Sequence, residues 1–292
     1  METVKVGEWL DQWFSAYTGD MAERTIALYK DARRRLKVHF PEFEDLLLEE
    51  LKPIDFQQAL NVLGRRYARS TLQHIKTLYS KAYDAAMENH LSEWNPIRSV
   101  KLPKYATVKN VEALSQEEQE KFEEATAALP VIDQFALMTL LLTGLRRDEL
   151  RFLRWSDWDK QKNVLNIRKS KTANGIRSVP IIPEVHMMLQ YLSKVKGAEV
   201  CPFIFSYHNG PMDKYHLRRI CEKAARLAHI RHVTPHILRH SFATRMIEHG
   251  ADPKSLSVII GHANVAFTLN RYVSVDEEHL ASQMMLLSSI RK

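Results

Sequence analysis

HILRH, residues 236–240, sets two histidines four positions apart around an arginine. On a helix His236 and His240 share a face, because positions i and i+4 are neighbours. That spacing can hold zinc, as in H-E-x-x-H enzymes. His236 and Arg239, three apart, share a face as well. An imidazole beside a guanidinium is a poor cation site and a good phosphate site. The pentapeptide leaves metal and anion both open, and the rest of the chain has to decide between them.

A length of 292 residues suggests about two domains, with ample core in each. The composition, 45% apolar and 26% charged, is that of a soluble globular protein. Lys and Arg outnumber Asp and Glu by 42 to 35, a net charge of +7 compatible with a polyanionic partner. No apolar run approaches the roughly 18 residues a membrane span requires. The opening METVKVGEWLDQWF lacks the basic-then-apolar order of a secretory signal. Cys201 and Cys221 give no disulfide framework, so a reducing cytoplasm is the expected location.

Residues 8–98 read as helices. Pro53 marks a helix start. Ser70 is the expected N-cap of a long helix whose apolar stripe is Leu72, Ile75, Leu78, Tyr79, Ala82 and Ala86. Arg33 to Arg35 and Arg65–Arg66 form basic clusters here. The stretch 95–113 breaks the periodicity with two prolines, Arg98, Lys101, Lys104 and Lys109, and reads as a basic linker with a boundary near residue 105. Beyond it, Ser115 and Glu118 fit a capping box. An apolar helix, VIDQFALMTLLLT, stops at Gly144. VLNIRK and IRSVPI flank Thr172 to Gly175 as a β-hairpin. HLRRICEKAARLAHI, HILRHSFATRMIEHG and PKSLSVIIGH read as helices. The expected fold is mainly α with a small β-hairpin, an α+β chain of two domains, 1–105 and 106–292. The first 107 residues hold 16 Lys and Arg against 15 Asp and Glu, so the positive excess lies in the second domain.

Polar residues gather at element ends in that second domain. TGLRRDEL puts Arg146 just past a helix-stopping glycine, SKT puts Lys171 on the hairpin, IIGHA supplies His262, and LNRYVSV supplies Tyr272. Each alone is weak. Together they have complementary chemistry. Two arginines can grip the non-bridging oxygens of a phosphodiester. A tyrosine hydroxyl can attack phosphorus and form a covalent ester. A lysine can protonate the leaving alkoxide, and histidines can donate to the developing charge. The sequence offers no obvious carboxylate cluster for a magnesium ion, so protein cations must neutralise the charge.

The order TGLRRDEL, SKT, HILRH, GHA and a tyrosine ten residues later resembles the tyrosine recombinase family, also called phage integrases. The resemblance fills six catalytic positions: Arg146, Lys171, His236, Arg239, His262 and Tyr272. It adds Glu149 and His240 as supporting residues. It implies a helical, SAM-like core-DNA-binding domain over 1–105 followed by the catalytic domain; the arm-binding domain that many such integrases carry ahead of these two is either lacking in this member or trimmed from it. It also implies the reaction. Tyr272 forms a 3′-phosphotyrosyl bond, Lys171 protonates the departing 5′-hydroxyl, and a partner strand's 5′-hydroxyl then attacks the linkage. Two rounds pass through a Holliday junction in a tetramer on two double-stranded DNA sites. Neither ATP, metal nor other cofactor takes part, and the free protein is expected to be a monomer or weak oligomer. An excisionase or a host DNA-bending protein are further expected partners. The apolar stripe of the C-terminal stretch, with Leu280, Met284, Met285 and Ile290, is expected to dock on a neighbouring subunit.

Rival readings stand beside this one: a non-catalytic DNA-binding protein, a type IB topoisomerase that relaxes single strands, and a zinc hydrolase built on HILRH. Arg147 and Lys169 are neighbours that rival Arg146 and Lys171; the TGLR and SKT patterns select the latter. Arg168 and Arg177 read as solvated strand charges, His232 and His249 as surface residues, and Trp155 and Trp158 as core.

Overall fold

The structure, a computed structural model, describes residues 3–108, 112–168, 175–195, 199–207 and 209–261. The chain divides into two compact units, Met1–Asn110 and Val111–Lys292.

The first unit is built from α1 (Val6–Tyr17), α2 (Glu23–His39), α3 (Pro53–Leu63) and α4 (Arg69–Glu88). The expected stripe of α4 is buried from Leu72 to Ala86. Trp9 of α1 packs into the same core and donates its indole N–H to the Ala82 carbonyl (2.7 Å). Helix α3 starts at Pro53, where a missing N–H costs nothing. Helix α4 starts earlier than its sequence suggests: Ala68, not Ser70, is the N-cap. Tertiary bonds explain the shift. The Arg69 N–H donates to the Thr107 carbonyl (2.9 Å) and the Arg69 guanidinium to the Pro103 carbonyl (3.1 Å), which fixes the first turn from outside.

Those acceptors belong to the stretch expected to be a linker. Residues 95–107 instead pack on the first unit, with Ile97, Val100 and Ala106 buried. Gln57 clamps Lys101 through its backbone, donating to the carbonyl and accepting from the N–H, both at 2.8 Å. The units therefore part after Asn110 rather than at residue 105. The arginine cluster of α2 also differs from its reading as a bare basic patch. Arg33 is paired with Glu44 (2.7 Å) and Asp11 (2.5 Å), and Arg34 and Arg35 share Asp31.

The second unit contains α5 (Gln116–Thr126), α6 (Val131–Thr143), α7 (Arg147–Arg151), α8 (Pro183–Val195), α9 (Lys214–Leu227), α10 (Pro235–Glu248) and α11 (Pro253–Ile260). Ser115 and Glu118 cap α5 reciprocally, at 3.1 and 2.9 Å. Helix α6 is the centre. Ala136, Leu137, Leu140 and Leu141 are buried, and the helix packs against α5, α8, α9 and α10. A helix this apolar has to be enclosed. Its one buried acid, Asp133, accepts from the Tyr207 hydroxyl and pairs with His216 Nε2, both at 2.8 Å.

The expected hairpin is present as β2 (Val164–Ile167) and β3 (Arg177–Pro180), paired antiparallel with Leu165 opposite Val179 and Ile167 opposite Arg177. Strand β1 (Trp158–Asp159) adds a third to this sheet, and β4 (Ser206–Tyr207) with β5 (Gly210–Pro211) forms a second small pair. The fold is mainly α with small antiparallel sheets, as the sequence implies. No helix among the described residues is long and apolar enough to cross a membrane.

Candidate active site

The site begins where α6 ends. Gly144 adopts a left-handed backbone, φ +63°, and terminates the helix. A Cβ at this position would lie 2.4 Å from the Phe242 ring, so both conformation and space demand glycine. Arg146 follows in extended conformation and caps α7. Glu149, one turn in, folds back on it: one carboxylate oxygen accepts the Arg146 backbone N–H (2.8 Å), the other its guanidinium (2.7 Å). Arg147 turns instead to its neighbour Asp148 (2.8 Å), away from this grouping.

Arg239 arrives from α10, whose first turn is fixed by Pro235 and by Thr234 accepting the Ile237 N–H (3.3 Å). Its guanidinium donates to the Gly144 carbonyl (2.8 Å) and the Ile260 carbonyl (2.6 Å). Arg146 donates to the next carbonyl, Gly261 (2.5 Å). Two arginines nearly a hundred residues apart thus meet at the C-terminal end of α11. The carbonyls there have no partner within their helix and carry the negative end of its dipole. The Arg146 side chain is 34% exposed, whereas Arg239 is only 4% exposed.

A third arginine, which the sequence reading left as a solvated strand charge, joins them. The Arg177 side chain is buried, with 4% of it exposed. Both its terminal nitrogens donate to the two Glu149 oxygens at 3.0 Å, its Nε to the Ile259 carbonyl (2.5 Å), and it bonds back to Gly175 O (2.9 Å). Register is the reason. Arg177 lies opposite Ile167, which is buried, and residues directly opposite in a sheet point to the same face. Arg168, one residue beyond Ile167, faces out and pairs with Asp157 while 63% exposed, so the surface reading holds for it. Burial pushes the Glu149 carboxyl up, but the bonds and charge of Arg177, with those of Arg146, hold it below its ordinary value.

His236 sits exposed on the first turn of α10, and His240 is buried one turn on. His232 and His249 are exposed, Trp158 is core, and Trp155 is packed against it. Among the described residues no group of three or more His, Cys, Asp or Glu is arranged to hold a metal ion. The structure thus brings together Arg146, Glu149 and Arg239, with His236 on the helix that carries Arg239. Lys171, His262, Tyr272 and the C-terminal stretch with Leu280, Met284, Met285 and Ile290 lie outside the described residues. His262 is the next residue after Gly261, whose carbonyl Arg146 takes.

Three comparisons bear on this arrangement. The model of the phage integrase family matches residues 105–279. A tyrosine recombinase XerC-like protein of Caldanaerobacter subterraneus is 25% identical, over 94% of this chain and 80% of its own length. Among solved structures, the Tn1549 transposon integrase in complex with a circular intermediate DNA superposes with a TM-score of 0.81 at 22% identity, covering 98% of this chain and all of that one. A lambda integrase tetramer bound to a Holliday junction gives 0.77 at 18% identity, covering 94% of this chain and 80% of that one. At these identities the solved structures speak for the fold.

Proposed function

The chain belongs to the phage integrase family, and on that premise we propose that it is a site-specific DNA recombinase whose nucleophile is Tyr272. The observation that carries this reading is the pairing of Arg146 and Arg239 on adjacent carbonyls at the end of α11, beside the Glu149 carboxylate. Two guanidiniums fixed side by side by backbone carbonyls present paired donors matched to the non-bridging oxygens of a phosphodiester. Arg146 and Arg239 hold the non-bridging oxygens, and His236 donates to the same phosphate. The Tyr272 oxygen attacks phosphorus. The phosphorus–oxygen bond to the 5′ side breaks, and the departing oxygen takes its proton from Lys171 as a 3′-phosphotyrosyl ester remains. His262 and His236 manage the nucleophile's proton and the developing charge. Glu149 and His240 support the arginines from behind. Rejoining reverses these steps with a 5′-hydroxyl from a partner duplex, so bond energy is conserved and no nucleotide cofactor is consumed. Protein cations carry the charge that a metal ion would otherwise balance.

The working assembly in this reading is a tetramer on two double-stranded DNA sites passing through a Holliday junction, acting in the cytoplasm to integrate or excise a mobile element. The first unit, to residue 110, binds the core of the DNA site, the second carries the chemistry, and the C-terminal tail docks on a neighbouring subunit. An excisionase or a DNA-bending protein sets direction. The test is direct. Wild-type protein mixed with nicked site DNA forms a covalent adduct that survives denaturant, and Tyr272→Phe forms none. An adduct of undiminished yield from Tyr272→Phe removes Tyr272 as nucleophile.

A further inference from the structure

The last two carbonyls of α11 and that of its C-cap each receive a different arginine: Ile259 from Arg177, Ile260 from Arg239 and Gly261 from Arg146. Glu149 ties the outer two together, since both Arg177 and Arg146 donate to it. Four residues from three separate stretches therefore share one helix end. We propose that Arg177 is a positioning residue for the phosphate grip, one that never touches DNA and acts by occupying Glu149 and holding the end of α11. The inference rests on the recombinase reading of the site.

Two physical consequences follow from the contacts. The first is electrostatic. With Arg177 in place, Glu149 divides its charge between two guanidiniums, so Arg146, though bonded to it at 2.7 Å, is only partly neutralised and keeps attraction for a phosphate. Without it, Glu149 is a buried carboxylate whose one remaining cationic partner is Arg146 among the described residues, and Arg146 is drawn inward. The second is geometric. Arg177 makes four described bonds, to Ile259 O, Gly175 O and both Glu149 oxygens. It thereby fixes the helix end that also seats Arg146 and Arg239, and from which the chain leads directly to His262. A lysine offers one compact charge on a flexible stem and cannot reproduce the fork.

The experiment compares wild type with Arg177→Met, Arg177→Lys, Glu149→Gln and the double variant Arg177→Met/Glu149→Gln. Single-turnover adduct formation on nicked site DNA is measured alongside DNA affinity and thermal midpoint. Arg177→Met is expected to slow the covalent step by roughly 10- to 100-fold, the scale of a misplaced catalytic group, with DNA affinity within about threefold of wild type. Glu149→Gln costs less. The double variant regains a substantial part of the loss, because no carboxylate remains to draw Arg146 away. A merely structural role would not produce that recovery. Should Arg177→Met not fold, Arg177→Lys takes its place: a slowed covalent step at unchanged affinity supports the proposal, and a wild-type rate overturns it. It is also overturned if Arg177→Met reacts at the wild-type rate, or if the double variant is no faster than the single one. A wild-type protein that forms no adduct through Tyr272 sinks the recombinase reading itself, a result distinct from any of these.

Discussion

Each unit buries a glutamate between two cations, and the two clusters do different things. Glu44, in the first unit, accepts from Arg33 (2.7 Å) and Lys37 (2.6 Å), and Arg33 also takes Asp11 and the Gly7 carbonyl. Two cations meet two carboxylates, and the network is complete. Glu149, in the second unit, is shared by Arg177 and Arg146, with Arg239 on the neighbouring carbonyl. Here the arginines also bond the carbonyls of Gly144, Ile259, Ile260 and Gly261. Carbonyl bonds of this kind fix the guanidiniums in place as a converging set of donors at one helix end, an arrangement suited to an anion. Ion-pair chemistry alone does not mark a site; the convergence of separate arginines on one helix end does.

Deleting one arginine from each cluster tests this most severely. Arg146→Met should slow adduct formation by at least about 100-fold, the scale of losing one donor to a developing charge, while lowering stability by only about 1 kcal/mol. Arg33→Met should do the reverse. It strips Glu44 of its fork partner and should lower unfolding free energy in urea by about 3 kcal/mol, because a buried carboxylate is left underpaired. Adduct formation per folded molecule should stay at the wild-type rate. Equal chemical losses in both variants would erase the distinction between the clusters.

How legible these clusters were in the sequence follows from what each depends on. The helices of both units announce themselves through periodicity, the α6 stop through Gly144, and the hairpin through its two β-prone runs. Arg146, Glu149 and Arg239 were readable because motif order reaches across long separations. Arg177 was passed over because Arg168 and Arg177 look alike as charges flanking a turn. Only pairing register separates them, placing Arg177 opposite buried Ile167 and Arg168 one step out of phase. A signal was present: Arg177, Val179 and Ile181 alternate on one face, and a charge on an apolar stripe asks for a buried partner. Ser70 failed for a similar reason, since bonds from residues 103–107, invisible in local sequence, set where α4 begins.

Two left-handed glycines sharpen the contrast between site and scaffold. Gly144→Ala places a methyl group 2.4 Å from the Phe242 ring at φ +63°, which should cost about 2–3 kcal/mol. It also displaces the carbonyl that Arg239 takes, so adduct formation should fall beyond what stability loss explains. Gly250 has φ +81° with nothing within 4 Å, so Gly250→Ala should cost only about 1 kcal/mol and leave the chemistry alone. Urea unfolding and adduct rates measured on both variants separate the two effects. Matching rates would mean that the Gly144 carbonyl does not seat Arg239 for catalysis.

The smallest expected effect is on acid stability, where the two clusters should behave alike. Burial pushes the carboxyls of Glu44 and Glu149 up, and their arginine partners outweigh it, with Lys37 also acting on Glu44 and Arg146 on Glu149. Both are held below the ordinary glutamate value. A carboxyl depressed in the folded state stabilises fully above its unfolded pKa, about 4.3, and that contribution is lost as pH falls through the folded value. Thermal midpoints should therefore be flat with respect to these groups near neutrality and fall below about pH 4.3. Glu44→Gln and Glu149→Gln should each show a shallower acid decline than wild type, since neither has that proton to gain. The difference between the clusters should show in their response to DNA. If the phosphate of site DNA meets Arg146, bound DNA should at neutral pH raise the midpoint of wild type more than that of Arg146→Met. Equal shifts in the two proteins would mean that the charge of Arg146 is not what the phosphate meets.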